Sequence, residues 1–174
     1  MLAAAAALAL AGCTSVTGGQ GSVDAADAPA YRTSMSVSSS QAAASSSARE
    51  SERQESMTTQ AMHNSCETLS TTSADAIDAV NAYVDAFNGD GGEVAATEGP
   101  AVDALDQSAL AVEDSISEAI PVELRDAFAG WVDGAYAAAE AIANEASPSE
   151  FNTVIENLND ARAAALELCD ETYR

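Results

Sequence analysis

Residues 147–169 read SPSEFNTVIENLNDARAAALELC, and this stretch predicts a helix and the place of that helix in the fold. Ser147, Pro148 and Glu150 form the pattern of a capping box, in which the serine hydroxyl and the glutamate carboxylate satisfy amides of the first turn. After this start, apolar residues recur every three or four positions, which places one apolar stripe along a helix. The stretch ends at Cys169, whose pairing restricts how the helices are arranged.

Three earlier segments have the same spacing, and the strict alternation typical of strands is absent. The stripes consist of Cys66, Leu69, Ser73, Ile77, Val80, Val84 and Phe87; Val102, Leu105, Ala109, Val112, Ile116 and Ile120; Leu124, Phe128, Trp131, Ala135, Ala138 and Ile142; and Phe151, Ile155, Leu158, Ala165, Leu168 and Cys169. The glycine-rich residues 88–92 predict a break, and Gly99-Pro100 and Pro121 predict helix starts. Four segments of about 21 to 25 residues, each about 32–37 Å long, predict an all-α, antiparallel up-down-up-down four-helix bundle over residues 61–174.

The cysteines give a separate test of this topology. Cys66 lies at the start of the first predicted helix and Cys169 near the end of the fourth. In a bundle of four alternating helices these ends meet, whereas three or five helices would place them more than about 30 Å apart. We therefore expect a Cys66–Cys169 disulfide, and the alternative is two buried free thiols.

The N-terminal residues predict an export signal. Residues 2–11, LAAAAALALA, are too few to span a bilayer, which takes about 20 residues. They end in Leu10-Ala11-Gly12-Cys13, which resembles the lipobox of bacterial lipoproteins. The resemblance implies a signal peptide over residues 1–12 and a Cys13 that carries acyl chains such as palmitate. It places the protein on the extracytoplasmic face of the cell membrane.

The lipobox interpretation leaves one feature to explain, and it has one alternative. A signal peptide normally opens with Lys or Arg, and none is present here. The expected reason is a start codon assigned too far downstream, or a trimmed chain. The alternative is a cytoplasmic protein with an alanine-rich first helix and an ordinary buried Cys13.

Residues 14–60 are rich in Ser, Thr, Ala, Gly and Gln and poor in large apolar side chains. Such a segment buries too little surface to offset its ordering entropy, so we expect a disordered linker. Together with Cys13, residues 13–60 would then tether the bundle to the membrane.

Charge and composition exclude several kinds of site. The chain has 28 acidic and 6 basic residues, no lysine, and a formal charge of −22, which excludes a groove for nucleic acid. A single histidine excludes sites that need two imidazoles. No Walker loop, G-x-G-x-x-G, C-x-x-C or supported Ser-His-Asp set occurs. We therefore expect no enzyme activity, no metal and no cofactor.

Two isolated features point only weakly to ligands. The loop at residues 88–93 offers Asn88, Asp90 and Glu93 as oxygen ligands for calcium, but it lacks the EF-hand spacing. His63, at the junction of linker and bundle, is expected to be an isolated, solvated residue.

Further candidates have structural explanations. Trp131 and Tyr136 would line a pocket or a partner surface, but aromatic residues at helical spacing more often belong to a core. Glu113-Asp114 and Asp170-Glu171 are neighbours on a helix and point apart, so they are expected to form a solvated face.

The leading hypothesis is a lipid-anchored envelope protein whose acidic bundle acts as a non-enzymatic interaction module, with another envelope component as partner. The alternative is a carrier that holds a small apolar or lipid-like molecule between the helices. An envelope enzyme is the third and weakest hypothesis.

Overall fold

The computed structural model describes residues 28–89 and 92–173, and its regular elements are four helices. They are α1 (Ala28–Asn88), α2 (Val94–Ser115), α3 (Val122–Ala143) and α4 (Pro148–Thr172). These residues contain no strand. The chain divides into two units, one up to Ser47 and one from Ala48 onward. The bundle lies in the second unit, and the predicted all-α four-helix fold is confirmed.

Helices α1 and α2 are antiparallel and share two polar contacts. The Ser65 hydroxyl donates to the Ser115 carbonyl at 2.7 Å. Seven residues further along α1, Thr72 accepts from the Ser108 hydroxyl at 2.9 Å. The contact seven residues later in α1 is therefore made by a residue seven positions earlier in α2, as expected for antiparallel helices.

Helices α1 and α4 are also antiparallel, with the same matched steps of seven residues. Cys66 and Cys169 form the predicted disulfide, with 5.7 Å between their Cα atoms. Seven residues further along α1, Ser73 accepts a hydrogen bond of 2.8 Å from Nε of Arg162. The disulfide and the two-turn step fix α1 against α4 in antiparallel register.

Helix α3 completes the bundle opposite α1. It packs against both α2 and α4. A Cβ atom built on Gly134 would lie 3.3 Å from Cδ1 of Leu158, and one on Gly130 would lie 4.0 Å from Cβ of Ala161. Each helix therefore packs between two antiparallel neighbours in the order α1, α2, α3, α4.

The core combines a few large side chains with many alanines. The largest buried apolar side chains are Trp131, Phe128, Leu69, Leu105, Ile120, Ile142, Leu158 and Val112. Ala101, Ala109, Ala135, Ala138 and Ala165 are also buried and let the helices approach closely. The buried Ser65, Ser73 and Ser108 have the hydrogen bonds just described, which offset the cost of removing them from water.

Helix α2 differs from the prediction at both ends. It begins at Val94, so Pro100 lies inside the helix and does not start it. The amides of Ala96 and Thr97 both donate to the Glu93 carbonyl, which forms a turn before the proline. Pro100 lies in the second turn, where its fixed φ is compatible with a helix. At this position it still removes one intrahelical hydrogen bond and its ring crowds the preceding turn, so it destabilises the helix.

The other end of α2 lies one turn earlier than the apolar stripe predicted. The helix ends at Ser115, and Ile116 has extended backbone angles (φ −73°, ψ 121°). Ile120 is buried, but it reaches the core from the loop, where its amide donates to the Ser117 carbonyl. The prediction that Ile120 is buried is therefore confirmed, but the prediction that it lies in the second helix is wrong.

Helix α1 begins at Ala28, whereas a disordered linker was predicted up to residue 60. Residues 29–60 are almost entirely exposed, so burial does not explain the helix. Alanine has the highest helix propensity and favours the helix here. Serine hydroxyls donate to carbonyls three or four residues earlier, as Ser40 does to Ser36, which satisfies them but does not itself stabilise a helix. Glu50 and Arg53 add an ion pair at 2.6 Å. Residues 14–27 of the predicted linker lie outside the described residues.

None of the helices in the described part of the chain has an apolar stretch long enough to cross a membrane.

Candidate functional site

An aromatic pocket of about 130 Å³ lies at the end of the bundle where α1 ends and α4 begins. The rings of Tyr83, Phe87 and Phe151 line it. The ring centroids of Tyr83 and Phe87 are 6.3 Å apart at an interplanar angle of 39°, and those of Tyr83 and Phe151 are 6.1 Å apart at 61°. We call these three residues and their cavity the aromatic pocket.

Phe87 was predicted to belong to the inward stripe of the first helix, and this prediction is wrong. Its side chain is 53% exposed, and Tyr83, one turn earlier, is buried instead. Helix α1 ends at Asn88, so there is no further turn to cover Phe87. A large apolar ring is thereby left at the rim of a pocket.

The predicted capping box places Phe151 in the pocket. The Ser147 amide and hydroxyl both donate to Oε2 of Glu150, at 3.1 and 2.6 Å, and the Glu150 amide donates to the Ser147 hydroxyl oxygen at 3.4 Å. The Phe151 amide donates to the Ser147 carbonyl at 2.9 Å. The hydrogen bonds from the Ser147 side chain and backbone lower the pKa of the Glu150 carboxyl. The box therefore fixes the first turn of α4 with Glu150 ionised.

The loop before α4 supplies a carboxylate. The Ala146 amide donates to the Ala141 carbonyl and the Glu145 amide to the Ile142 carbonyl, which is the hydrogen-bond pattern of a Schellman motif. Glu145 occupies the left-handed position of this motif, with φ 50°, where glycine is usual. Burial, followed by the charges of Glu98 and Glu145, raises the pKa of the Tyr83 phenol. The aromatic pocket therefore lies in a negative field.

A second candidate surface lies on the outside of α2 and α3. Asp106, Leu110 and Glu113 are spaced by four and three positions and share one side of α2, and Asp114 borders that side. Leu110 is 52% exposed, and Tyr136 on α3 is 37% exposed. Loss of hydration, followed by the charges of Glu113, Asp106 and Asp114, raises the pKa of the Tyr136 phenol. We call these five residues the α2–α3 face.

The opposite end of the bundle holds the disulfide. Cys66 and Cys169 are each 3% exposed. His63 was predicted to be isolated, but its ring stacks on Tyr173 with centroids 4.6 Å apart. Besides the disulfide, this stacking contact also joins α1 to the C-terminal end of α4.

Comparison with known proteins identifies the family. A family model described as the Rv2240c four-helix bundle domain matches residues 48–170. The chain belongs to the Rv2240c four-helix bundle domain family. The match covers α2 and α3 entirely, α1 from residue 48 onward and α4 up to residue 170, and the family description names a fold and not a reaction.

The Rv2240c-family chain is also similar to a mycobacterial protein. It is 50% identical over 158 residues to "Uncharacterized protein MT2300" of Mycobacterium tuberculosis (strain CDC 1551 / Oshkosh), which covers 91% of this chain and 80% of the relative. An alignment of this length exceeds the number of residues from 48 onward, so the similarity extends upstream of the bundle. No solved structure matches the chain.

The structure shows where the remaining predicted candidates lie. Trp131 is fully buried in the core, and its indole N–H has no hydrogen-bond partner there. The pair Asp170-Glu171 is exposed on α4, as is Glu113-Asp114 on α2. The lipid-attachment candidate Cys13 lies outside the described residues. Asp90, one of the three candidate calcium ligands, lies outside them as well. Within the described ranges, no group of three or more His, Cys, Asp or Glu side chains is placed to hold a metal ion.

Sequence reasoning missed the two residues that define the aromatic pocket chemically. Tyr83 lies four residues before Phe87, a spacing that puts both rings on one side of a helix, so this signal was available. Glu145 gave no signal, because a left-handed backbone position is not expected at a glutamate.

Proposed function

We propose that this Rv2240c-family protein is a lipid-anchored, non-enzymatic interaction module on the extracytoplasmic face of the cell membrane, and that its α2–α3 face binds a cationic protein of the envelope. The observation that carries the proposal is that Leu110 and Tyr136 are both exposed and that three carboxylates of α2 act on Tyr136. Exposed aromatic and apolar side chains within a polar rim are typical of protein-binding surfaces.

Charge decides the kind of partner. The formal charge is −22, and the only basic residues of the bundle domain are Arg125, Arg162 and Arg174. Arg162 donates to Ser73 inside the bundle. A surface with this excess of carboxylates attracts a partner rich in Lys or Arg and repels acidic ones.

Two features support a location outside the cytoplasm. Leu10-Ala11-Gly12-Cys13 resembles a lipobox, which implies an acylated Cys13. The Cys66–Cys169 disulfide is of the kind that persists in oxidising compartments and is rare in the cytosol.

Charge reversal on intact cells tests the proposal. Zero-length amine–carboxyl crosslinking of the full chain is expected to join the α2–α3 face to lysines of one envelope protein. The double variant Glu113→Lys/Asp114→Lys is expected to lose this product.

The matched control is Glu156→Lys/Asp160→Lys, an equal change of charge on exposed positions of α4. It is expected to keep the product, and a Cys13→Ala variant is expected to lose it because the protein is released from the membrane. Equal loss with both charge variants would refute a specific α2–α3 face. Retention with Cys13→Ala would refute the anchor.

The carrier hypothesis has less support. The described core between the helices is filled, with Leu69, Leu105, Phe128, Trp131 and Ala135 all 0% exposed. An acyl chain would fit there only if the helices separated. The aromatic pocket lies at the end of the bundle, and its volume of about 130 Å³ is below the roughly 300–1,000 Å³ of sites for drug-sized ligands.

A further inference from the structure

We propose that the aromatic pocket of Tyr83, Phe87 and Phe151 binds a small organic cation, with a quaternary ammonium group as its preferred ligand. The inference does not depend on the proposed function, because the pocket shares no residue with the α2–α3 face.

The size of the pocket selects a compact group. Its volume of about 130 Å³ is close to the roughly 150 Å³ of an apolar cavity that holds one benzene ring. A trimethylammonium group has comparable bulk and an apolar surface. A long chain or a fused ring system would not fit without opening the bundle.

The rings provide the binding contacts. A cation is attracted to an aromatic face when it lies within about 6 Å of the ring centroid. The centroid of Tyr83 is 6.3 Å from that of Phe87 and 6.1 Å from that of Phe151, and all three residues line the cavity, so the rings form one contiguous aromatic wall for a bound cation. Exposed Phe87 at the rim leaves the pocket accessible to a ligand from solution.

The charges favour a cation over a neutral or anionic ligand. Glu98 and Glu145 both act on Tyr83, and no basic side chain lines the pocket. An anion would be repelled, and a neutral apolar group would gain nothing from the carboxylates. The other lining side chains are small, apolar or the amides of Asn88 and Asn152.

The test compares choline with 3,3-dimethylbutan-1-ol, its uncharged carbon analogue. Each is titrated into the full disulfide-bonded chain while the ring resonances of Tyr83, Phe87 and Phe151 are followed by NMR. We expect choline to bind at these rings at least tenfold more tightly than the alcohol. Equal affinities, or no shift at the three rings, would overturn the proposal.

Two variants identify the groups responsible. Phe87→Leu is expected to weaken choline binding about tenfold, and it keeps the fold because the side chain is already exposed. Glu145→Gln removes the charge and is expected to weaken binding severalfold. Tyr31→Leu, at an exposed position near the start of α1, is the control and is expected to leave binding unchanged. An unchanged affinity in Phe87→Leu would refute a role for the rings.

The source of the cation is distinguished by three probes of the same chemistry: free choline, a trimethyllysine peptide, and phosphatidylcholine vesicles. Binding that is lost in Phe87→Leu supports the proposal, and the tightest probe identifies the source. Free choline must bind at the rings in every case, so its failure overturns the proposal whatever the other two probes do. None of these outcomes affects the crosslinking test, so the two proposals fail independently.

Discussion

Glu145 is held at φ 50°, a backbone conformation that costs a non-glycine residue roughly 1–2 kcal/mol. Glycine is free of this cost and is the usual residue at this position of a Schellman motif. We expect Glu145→Gly to raise the free energy of unfolding by about 1 kcal/mol in urea denaturation. Glu145→Gln is the control and should change stability little. A loss of stability in Glu145→Gly would show that the carboxylate itself stabilises the loop.

The capping box predicts a pH dependence at the residue scale. Hydrogen bonds to Ser147 lower the folded-state pKa of Glu150 below its ordinary 4.5. Its stabilising contribution is therefore fully present above about pH 4.5 and is lost as the pH falls through the folded value. The thermal midpoint of the wild type should exceed that of Glu150→Gln at pH 7, and the difference should shrink towards pH 3. A difference independent of pH would contradict an ionised cap.

Two glycines of α3 face α4 and differ in the space around them. A Cβ at Gly130 has room, with Ala161 Cβ at 4.0 Å, whereas one at Gly134 meets Leu158 Cδ1 at 3.3 Å and Cα at 3.4 Å. Gly130→Ala should stabilise the protein by about 0.8–1 kcal/mol through helix propensity. Gly134→Ala should lose most or all of that gain, because α3 and α4 must move apart. Equal stabilisation in calorimetry would contradict the close packing.

The helices differ in how far their bounds could be predicted from the sequence. Helix α4 was predicted from its capping box to Cys169 because local chemistry and periodicity agree there. Pro100 misled the prediction for α2, since a proline in the second turn resembles one in the first. The early part of α1 was missed because its residues are exposed and have no apolar stripe, so neither burial nor periodicity signals a helix there. The spacing of Tyr83 and Phe87 predicts two rings on one side of α1, but the pocket itself could not be predicted because it depends on where α1 ends relative to the α3–α4 loop.

For the whole molecule, the disulfide joins residues 103 positions apart. In the chain-entropy model, a loop of this size contributes about 4–5 kcal/mol by restricting the unfolded chain. Reduction, or the double variant Cys66→Ser/Cys169→Ser, should lower the free energy of unfolding by about that amount in denaturant titrations. A loss below about 1 kcal/mol would show that the packed helices alone hold the ends together.

The net charge of −22 also acts on the whole molecule. Carboxylates on the outside of the bundle repel one another, and salt screens this repulsion over about 10 Å at 0.1 M. The thermal midpoint should therefore rise between 0.01 and 0.5 M NaCl. A midpoint that falls with salt would mean that attractive ion pairs outweigh the repulsion.

We propose that an acylated Cys13 holds the disulfide-closed bundle outside the cytoplasm. The most direct test of this claim is the intact mass of the full chain expressed in a bacterial host and purified from the membrane fraction under non-reducing conditions. We predict a polypeptide that begins at Cys13, carries acyl chains there and contains no free thiol. An unacylated chain that retains residues 1–12, or one recovered reduced from the soluble fraction, would contradict the claim.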